Sequence, residues 1–181
     1  MRFNIPNQIT LARIASVPLL MYLILMQHTI GTILAIVLFS LAAISDAADG
    51  YLARNLKQTT VFGKFADPIA DKLLIAGALI SFVQLKEMSA ALVMIIIARE
   101  FLVTGLRIMA IAEGEVIAAS PLGKIKTVSH IGLVLFILVN RYLDLGSAGA
   151  ITKDVFLYLA IALALISGGE YFYRSRRLFG K

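Results

Sequence analysis

The run IASVPLLMYLILMQHTIGTILAIVLFSLAAIS, residues 14–45, holds 32 residues without an Asp, Glu, Lys or Arg. A helix that crosses a bilayer needs about 20 predominantly apolar residues. The run is too long for one span and slightly short for two. Its weakest point is Gln27-His28-Thr29-Ile30-Gly31, where polar residues meet a glycine. A break there predicts one helix over residues 7–26 and a second over 32–55, each borrowing length from its polar flank. The same reading continues outward. Lys86-Glu87, Glu113-Gly114-Glu115 and Asp144-Leu145-Gly146-Ser147 interrupt the remaining apolar sequence. They predict helices over 61–85, 88–112, 121–140 and 152–172, and Pro121 suits a first helical turn. The expected fold class is all-α: a single polytopic membrane domain, residues 1–181, with six transmembrane helices.

Composition points the same way. Hydrophobic residues make up 60% of the 181-residue chain and charged residues only 15%, against about 25% charged in an ordinary soluble protein. These figures exclude a disordered chain, a nucleic-acid-binding tail protein and an ordinary soluble α/β enzyme, so no nucleic-acid partner is expected. The chain has no Cys and no Trp. Disulfides are excluded, and any aromatic belt must be built from Tyr and Phe. The first ten residues include the polar Arg2, Asn4, Asn7, Gln8 and Thr10, so a cleavable signal peptide is not expected.

Charge predicts the orientation. Six helices put both termini on one side, together with connections 2–3 and 4–5. In the other three connections Lys86, Arg141 and Lys153 are balanced by Glu87, Asp144 and Asp154, so the whole net charge of +6 falls on the terminal side. The positive-inside rule makes that side cytoplasmic. Arg174, Arg176, Arg177 and Lys181 are expected to meet anionic headgroups there.

Several charges fall within the expected helices instead: Asp46, Asp49, Asp67, Asp71, Arg99, Glu100 and Arg107. Ionisable groups at such depth are costly and usually face a bundle interior or a watery cavity. Helices 2 to 5 are therefore expected to enclose a polar cavity open to the cytoplasm. Asp46 and Asp49 are spaced i, i+3, and Asp67 and Asp71 i, i+4, so each pair shares a helix face. Antiparallel packing of consecutive helices can bring the four together. Four carboxylates in low dielectric stay ionised only if cations neutralise them. Two divalent ions with oxygen ligands would do so, and a two-metal site serves in-line phosphoryl displacement. The competing reading is a set of helix-end carboxylates, and Asp67 before Pro68 has the form of an N-cap followed by an N1 proline. Gly50 and Ala53 either let a ligand approach the backbone or serve helix packing. Arg54 suits a phosphate or snorkels to the interface.

The residues Asp46-x-x-Asp49-Gly50-x-x-Ala53-Arg54, then eight residues, then Gly63-x-x-x-Asp67-x-x-x-Asp71, resemble the signature of the CDP-alcohol phosphotransferase family at every fixed position. Eight fixed positions over 26 residues make a chance match very improbable. The resemblance implies the family's six-helix membrane architecture and two divalent cations, Mg²⁺ or Mn²⁺. By the same resemblance Asp46, Asp49 and Asp67 would hold one metal, and Asp46, Asp67 and Asp71 the other. Asp71 would also be the catalytic base that takes the proton from the acceptor alcohol. Thr10, Gly50, Ala53, Arg54, Thr60 and Gly63 would line the site of the CDP-linked lipid. A homodimer is implied by the family alone.

The signature fixes the reaction and leaves the acceptor open. Arg99 and Arg107, eight apart, are expected on one face of helix 4, and Lys124, Lys126 and Thr127 open helix 5. Lys124 and Lys126 cannot share a helical face, so one of them is expected in the connection if the helix starts late. Four cations suit an acceptor that carries a phosphate, while Lys124 and Lys126 could also be ordinary positive-inside residues. The runs Ile97-Ala98-Arg99-Glu100, Leu106-Arg107 and Gly123-Lys124-x-Lys126-Thr127, with Phe3-Asn4-Ile5-Pro6-Asn7, Thr10 and Arg13, resemble the bacterial members of the family whose acceptor is glycerol 3-phosphate. That likeness implies CDP-diacylglycerol as donor, and phosphatidylglycerol phosphate and CMP as products. It covers residues from about 3 to 130, and the last fifty residues resemble the family only in hydrophobicity.

Glu100 has two open readings: pairing with Arg99 or Arg107, or orienting an acceptor hydroxyl. His28 and His130 are expected in interfacial or packing roles. Inositol phosphate, serine and phosphatidylglycerol are the competing acceptors, and serine makes poor use of four cations. A cation transporter is the competing class. Transporters tend to place acids near the midplane within inverted repeats, whereas this sequence has no internal repeat and its acids cluster towards one face. An inactive scaffold is opposed by the intact set of four Asp.

Overall fold

The structure, a computed structural model, describes residues 5–56, 61–114 and 120–176, with side chains over the same residues except 5–7, 46–56, 61–68 and 112. Among the described residues the chain is all-helical. The elements are α1 (Ile5–Leu25), α2 (Thr29–Leu56), α3 (Val61–Gln84), α4 (Ala90–Ala112), α5 (Pro121–Leu143) and α6 (Gly146–Arg174). Among the described residues three of them, α1 over Gln8–Leu25, α5 and α6, are long and apolar enough to cross a membrane, and Thr29–Ser45 of α2 is a shorter apolar stretch. The helices that fall short are those carrying the charges of the candidate site: Lys64, Asp67, Asp71 and Lys72 on α3, and Arg99, Glu100 and Arg107 on α4. Large apolar side chains such as Tyr22, Ile44, Met94, Ile111, Ile151 and Tyr158 stand more than half exposed. So much outward apolar surface suits a protein solvated by lipid, and the chain is a membrane protein.

The helix boundaries correct two expectations. The first break is shorter than the sequence suggests, because Gln27 alone takes the left-handed conformation (φ 50°) that ends α1. His28 then opens α2, its Nδ1 accepting the Ile30 N–H at 3.3 Å. Gly31 is inside α2, not in the turn. A Cβ there would lie 2.9 Å from the Leu23 carbonyl oxygen and 3.3 Å from the Met26 Cβ, so the glycine permits the close return of the chain. The last helix begins at Gly146, well before residue 152. Asp144 (φ 49°) and Gly146 (φ 57°) make the reversal between them, and the Thr152 hydroxyl donates to the Ala148 carbonyl inside the helix at 2.9 Å. The α3 terminus uses the same device. With Lys86 at φ 61°, the Lys86 and Glu87 N–H groups donate to the Val83 and Phe82 carbonyls, both at 2.9 Å. That is the double bond pattern of a Schellman ending.

The chain divides into two compact units. Unit 1 holds α1, α2, α3 and the second half of α5. Its core is built on Leu20, Ile24, Phe39, Leu79, Phe82 and Ile137, all at most 1% exposed. The most extensive packing is α1 on α3. Ala70, Ala78 and Gly77 keep that face of α3 small, and a Cβ on Gly77 would meet Val17 Cγ1 at 2.8 Å and Met21 Cγ at 3.3 Å. Overpacking a contact this close costs roughly 1–3 kcal/mol. Gly77→Ala is expected to lower the unfolding temperature in detergent micelles accordingly, whereas an unchanged temperature would mean that the α1–α3 contact is looser than described. Glu87 and Arg141 form an ion pair in this unit. Unit 2 holds α4, the first half of α5 and α6. Here α4 packs on α6.

Candidate active site

In unit 1 the signature residues lie on helical backbone. Asp46, Asp49, Gly50, Ala53 and Arg54 are within α2, Gly63, Asp67 and Asp71 are within α3, and the two helices pack on each other. The i, i+3 and i, i+4 spacings therefore operate on real helices, each keeping its two acids on one face. Asp67 is the seventh residue of α3 and Pro68 the eighth. That removes the N-cap reading, because the helix has already begun two turns earlier. Asp71 is half-buried. The side chains of Asp46, Asp49, Gly50, Ala53, Arg54, Gly63 and Asp67 are outside the described set, and Thr60 lies outside the described residues altogether. Four carboxylates supply only hard oxygen donors, the set that divalent Mg²⁺ or Mn²⁺ prefers. Thr10 and Arg13, at i, i+3 on α1, are both buried, at 1% and 4% exposure.

Unit 2 assembles a second polar cluster around Arg99. Its Nε donates to the Ala164 carbonyl at 3.2 Å and its Nη2 to the Ser167 hydroxyl at 2.9 Å, both on α6. Its Nη1 donates to Glu100 Oε1 at 2.9 Å. The guanidinium also stands over the Tyr171 ring, 5.8 Å from its centroid, within range of a cation–π attraction. Lys126 of α5 donates to the same Glu100 oxygen at 2.5 Å. Gly168 makes room for this, since a Cβ there would lie 3.2 Å from Arg99 Cγ. The Tyr171 hydroxyl in turn accepts the Ser120 N–H at 3.0 Å, and Ser120 Oγ accepts the Gly123 N–H at 3.0 Å, which starts α5.

The expected acceptor residues separate. Arg99 and Lys126 come together through Glu100, which resolves the pairing of that carboxylate in favour of Arg99 and Lys126 over Arg107. Arg107 is exposed, so it does not share the buried face of Arg99. Eight residues advance a helix by about 80° beyond two full turns, enough to carry the side chain off the α6 contact. Lys124 is exposed and Lys126 buried. Neither sits in a connection, because α5 already begins at Pro121. Thr127 is half-buried and donates its hydroxyl to the Gly123 carbonyl at 3.1 Å.

Ser120, Ser167 and Tyr171 escaped the sequence reading, as did the place of His130. That histidine is 1% exposed and one helical turn from Lys126. The i, i+4 spacings of Lys126 with His130 and of Ser167 with Tyr171 were the available signals. At the C-terminal end, Arg174 pairs with Glu170 at 2.5 Å and Arg176 lies over the Tyr173 ring at 4.5 Å.

Comparison with known proteins adds the following. The family model described as CDP-alcohol phosphatidyltransferase matches residues 3–166. The chain is 42% identical to the CDP-diacylglycerol–glycerol-3-phosphate 3-phosphatidyltransferase of Bacillus subtilis, with 94% of each chain covered. It is 36% identical to the protein of the same name from Rickettsia bellii, with 97% of each covered. To the probable phosphatidylglycerophosphate synthase of Mycobacterium tuberculosis it is 37% identical, over 98% of this chain and 84% of that one.

Proposed function

The chain belongs to the CDP-alcohol phosphatidyltransferase family, and from that membership we propose that it transfers the phosphatidyl group of CDP-diacylglycerol to glycerol 3-phosphate. The products are phosphatidylglycerol phosphate and CMP, as for a phosphatidylglycerophosphate synthase. The observation that carries the reaction class is the eight-position pattern on the two packed helices α2 and α3. The acceptor is supported by the names of full-length relatives and by the buried cations of unit 2.

Asp46, Asp49, Asp67 and Asp71 would hold two divalent cations. When bound, these supply charge neutralisation for the pyrophosphate and the departing CMP. Gly50, Ala53 and Gly63 leave room for the CDP-linked lipid beside the backbone, and Thr10, Arg54 and Thr60 offer it polar contacts. Lys126 and Arg99, with the exposed Arg107 and Lys124 and with Thr127, hold the phosphate of the acceptor. Asp71 takes the proton from its primary hydroxyl as the oxygen attacks the lipid-bearing phosphorus and the bond to CMP breaks. The protein acts as one membrane domain of six spans and as a homodimer in the bacterial cytoplasmic membrane. Both termini and a polar cavity holding the site face the cytoplasm, and the positive-inside distribution of charge supports that orientation.

Purified protein given CDP-diacylglycerol and Mg²⁺ or Mn²⁺ is expected to release CMP with glycerol 3-phosphate. Inositol phosphate, serine and phosphatidylglycerol, tested side by side, are expected to give little. Release with inositol phosphate and none with glycerol 3-phosphate would overturn the acceptor assignment and leave the reaction class standing.

A further inference from the structure

The buried cations of unit 2 stand on two helices, Arg99 on α4 and Lys126 on α5, and one side chain of α6 meets the supports of both. Tyr171 is 4% exposed. Its ring lies under the Arg99 guanidinium, 5.8 Å from the ring centroid, within cation–π range. Its hydroxyl accepts the Ser120 N–H at 3.0 Å. Ser120 is 1% exposed and caps α5, its Oγ accepting the Gly123 N–H at 3.0 Å. The Ser120 N–H itself lies outside the helix, so Tyr171 Oη is what satisfies it, and a buried donor left without an acceptor is costly. Two glycines make the fit possible. A Cβ on Gly123 would lie 3.2 Å from Tyr171 Oη, and one on Gly168 would lie 3.2 Å from Arg99 Cγ. Ser167, which accepts from Arg99 at 2.9 Å, precedes Tyr171 by four residues and shares its helix face. The α5 helix is continuous from Pro121, so a shift of its start is carried to Lys124, Lys126 and Thr127, its fourth, sixth and seventh residues.

We propose that Tyr171 is a positioning residue that sets the spacing of Arg99 and Lys126 for the acceptor's phosphate. The ring carries the guanidinium and the hydroxyl carries the opening of α5, so one rigid aromatic side chain fixes where both cations stand. This deepens the functional reading above and rests on it, since it takes those cations as the acceptor-phosphate site. A phosphate held by two cations at once is sensitive to their separation, because both contacts must reach hydrogen-bond geometry together. In the same reading the CDP-linked lipid is bound by residues of unit 1, so its binding is independent of this spacing.

The test is steady-state CMP release by the purified full-length protein in micelles, with inorganic phosphate as a competitor of glycerol 3-phosphate and with unfolding temperatures measured alongside. Wild type, Tyr171→Phe, Tyr173→Phe and Lys126→Met are compared. Tyr171→Phe keeps the ring under Arg99 and removes only the acceptor of the Ser120 N–H. It is expected to raise the KM for glycerol 3-phosphate and the inhibition constant of phosphate by the same factor, about three- to tenfold, the worth of one hydrogen bond of ordinary net strength. The KM for CDP-diacylglycerol and kcat are expected to stay at wild-type values. Tyr173→Phe removes a hydroxyl from an exposed position two residues on and is expected to change none of these constants. An unchanged acceptor KM in Tyr171→Phe, with a raised one in Lys126→Met, would overturn the proposal and leave the acceptor-phosphate site standing. Equal rises for both substrates, a raised acceptor KM with an unchanged phosphate constant, or the same effect from Tyr173→Phe would overturn it too, because Tyr171 would then only pack the helices. A wild-type acceptor KM in Lys126→Met would remove the acceptor-phosphate site itself and the proposal with it. If Tyr171→Phe does not fold, Gly123→Ala serves. Its Cβ crowds Tyr171 Oη from the α5 side at a helical position that favours alanine. It is expected to give the same selective rise, and an unchanged acceptor KM there counts against the proposal equally.

Discussion

Asp71→Asn is expected to reduce turnover by about 10²–10⁴-fold, the range for loss of a positioned general base, while leaving the unfolding temperature close to that of wild type. The substitution is isosteric, and it falls at a half-buried position in the middle of a continuous helix. No cavity forms and no helix end is disturbed. The amide cannot take the proton of the acceptor hydroxyl, and it is a poorer ligand for a hard divalent ion than a carboxylate. The two losses separate in a metal titration of CMP release. Weakened metal binding is repaired by raising Mg²⁺ or Mn²⁺, and loss of the base is not. Full activity at ordinary metal concentrations would remove Asp71 from the proton transfer.

Arg99→Ala is expected to be the most destabilising single change in unit 2, by about 3–5 kcal/mol, the cost of removing one partner from a buried ionic network. The change deletes the donors to the Ala164 carbonyl and the Ser167 hydroxyl, and the stacking on Tyr171. It also leaves Glu100 with Lys126 as its sole cationic partner among the described residues. Arg99→Lys is the informative companion. It keeps the charge but cannot present the planar fork that reaches two α6 acceptors and Glu100 at once, so it is expected to recover only part of the stability. Thermal or denaturant unfolding of both variants in micelles checks this, together with the KM for the acceptor. A stable Arg99→Ala protein whose only defect is a raised acceptor KM would mean that Arg99 is held for the substrate and not by α6.

How far these residues could be read in advance depends on what kind of contact each makes. The four Asp were legible because their spacing is a property of a single helix, and a rise of 1.5 Å with about 100° per residue follows from the backbone alone. The helix-end alternative for Asp67 could not be dismissed from sequence. Pro68 is equally compatible with a first turn, and only the start of α3 at Val61 removes it. The break near Gln27 was found but drawn too wide, since a single residue at φ 50° suffices to reverse the chain. The early start of α6 was missed because two residues, Asp144 and Gly146, complete the reversal there within a short connection.

The sequence by itself determined the helical membrane class and the register of the four signature carboxylates, because hydrophobic run length and helical periodicity are local quantities. Tertiary structure alone decided which cations are buried and what they face. Arg99 finds its partners 65 and 68 residues away on α6, and Lys126 meets Glu100 across 26 residues. Arg107 and Lys124, equal candidates in the sequence, stand exposed. Charge alone does not tell such residues apart. Burial of an ion requires compensating acceptors from a second helix, and only the packing of α4 with α6 and the opening turns of α5 brings them within reach.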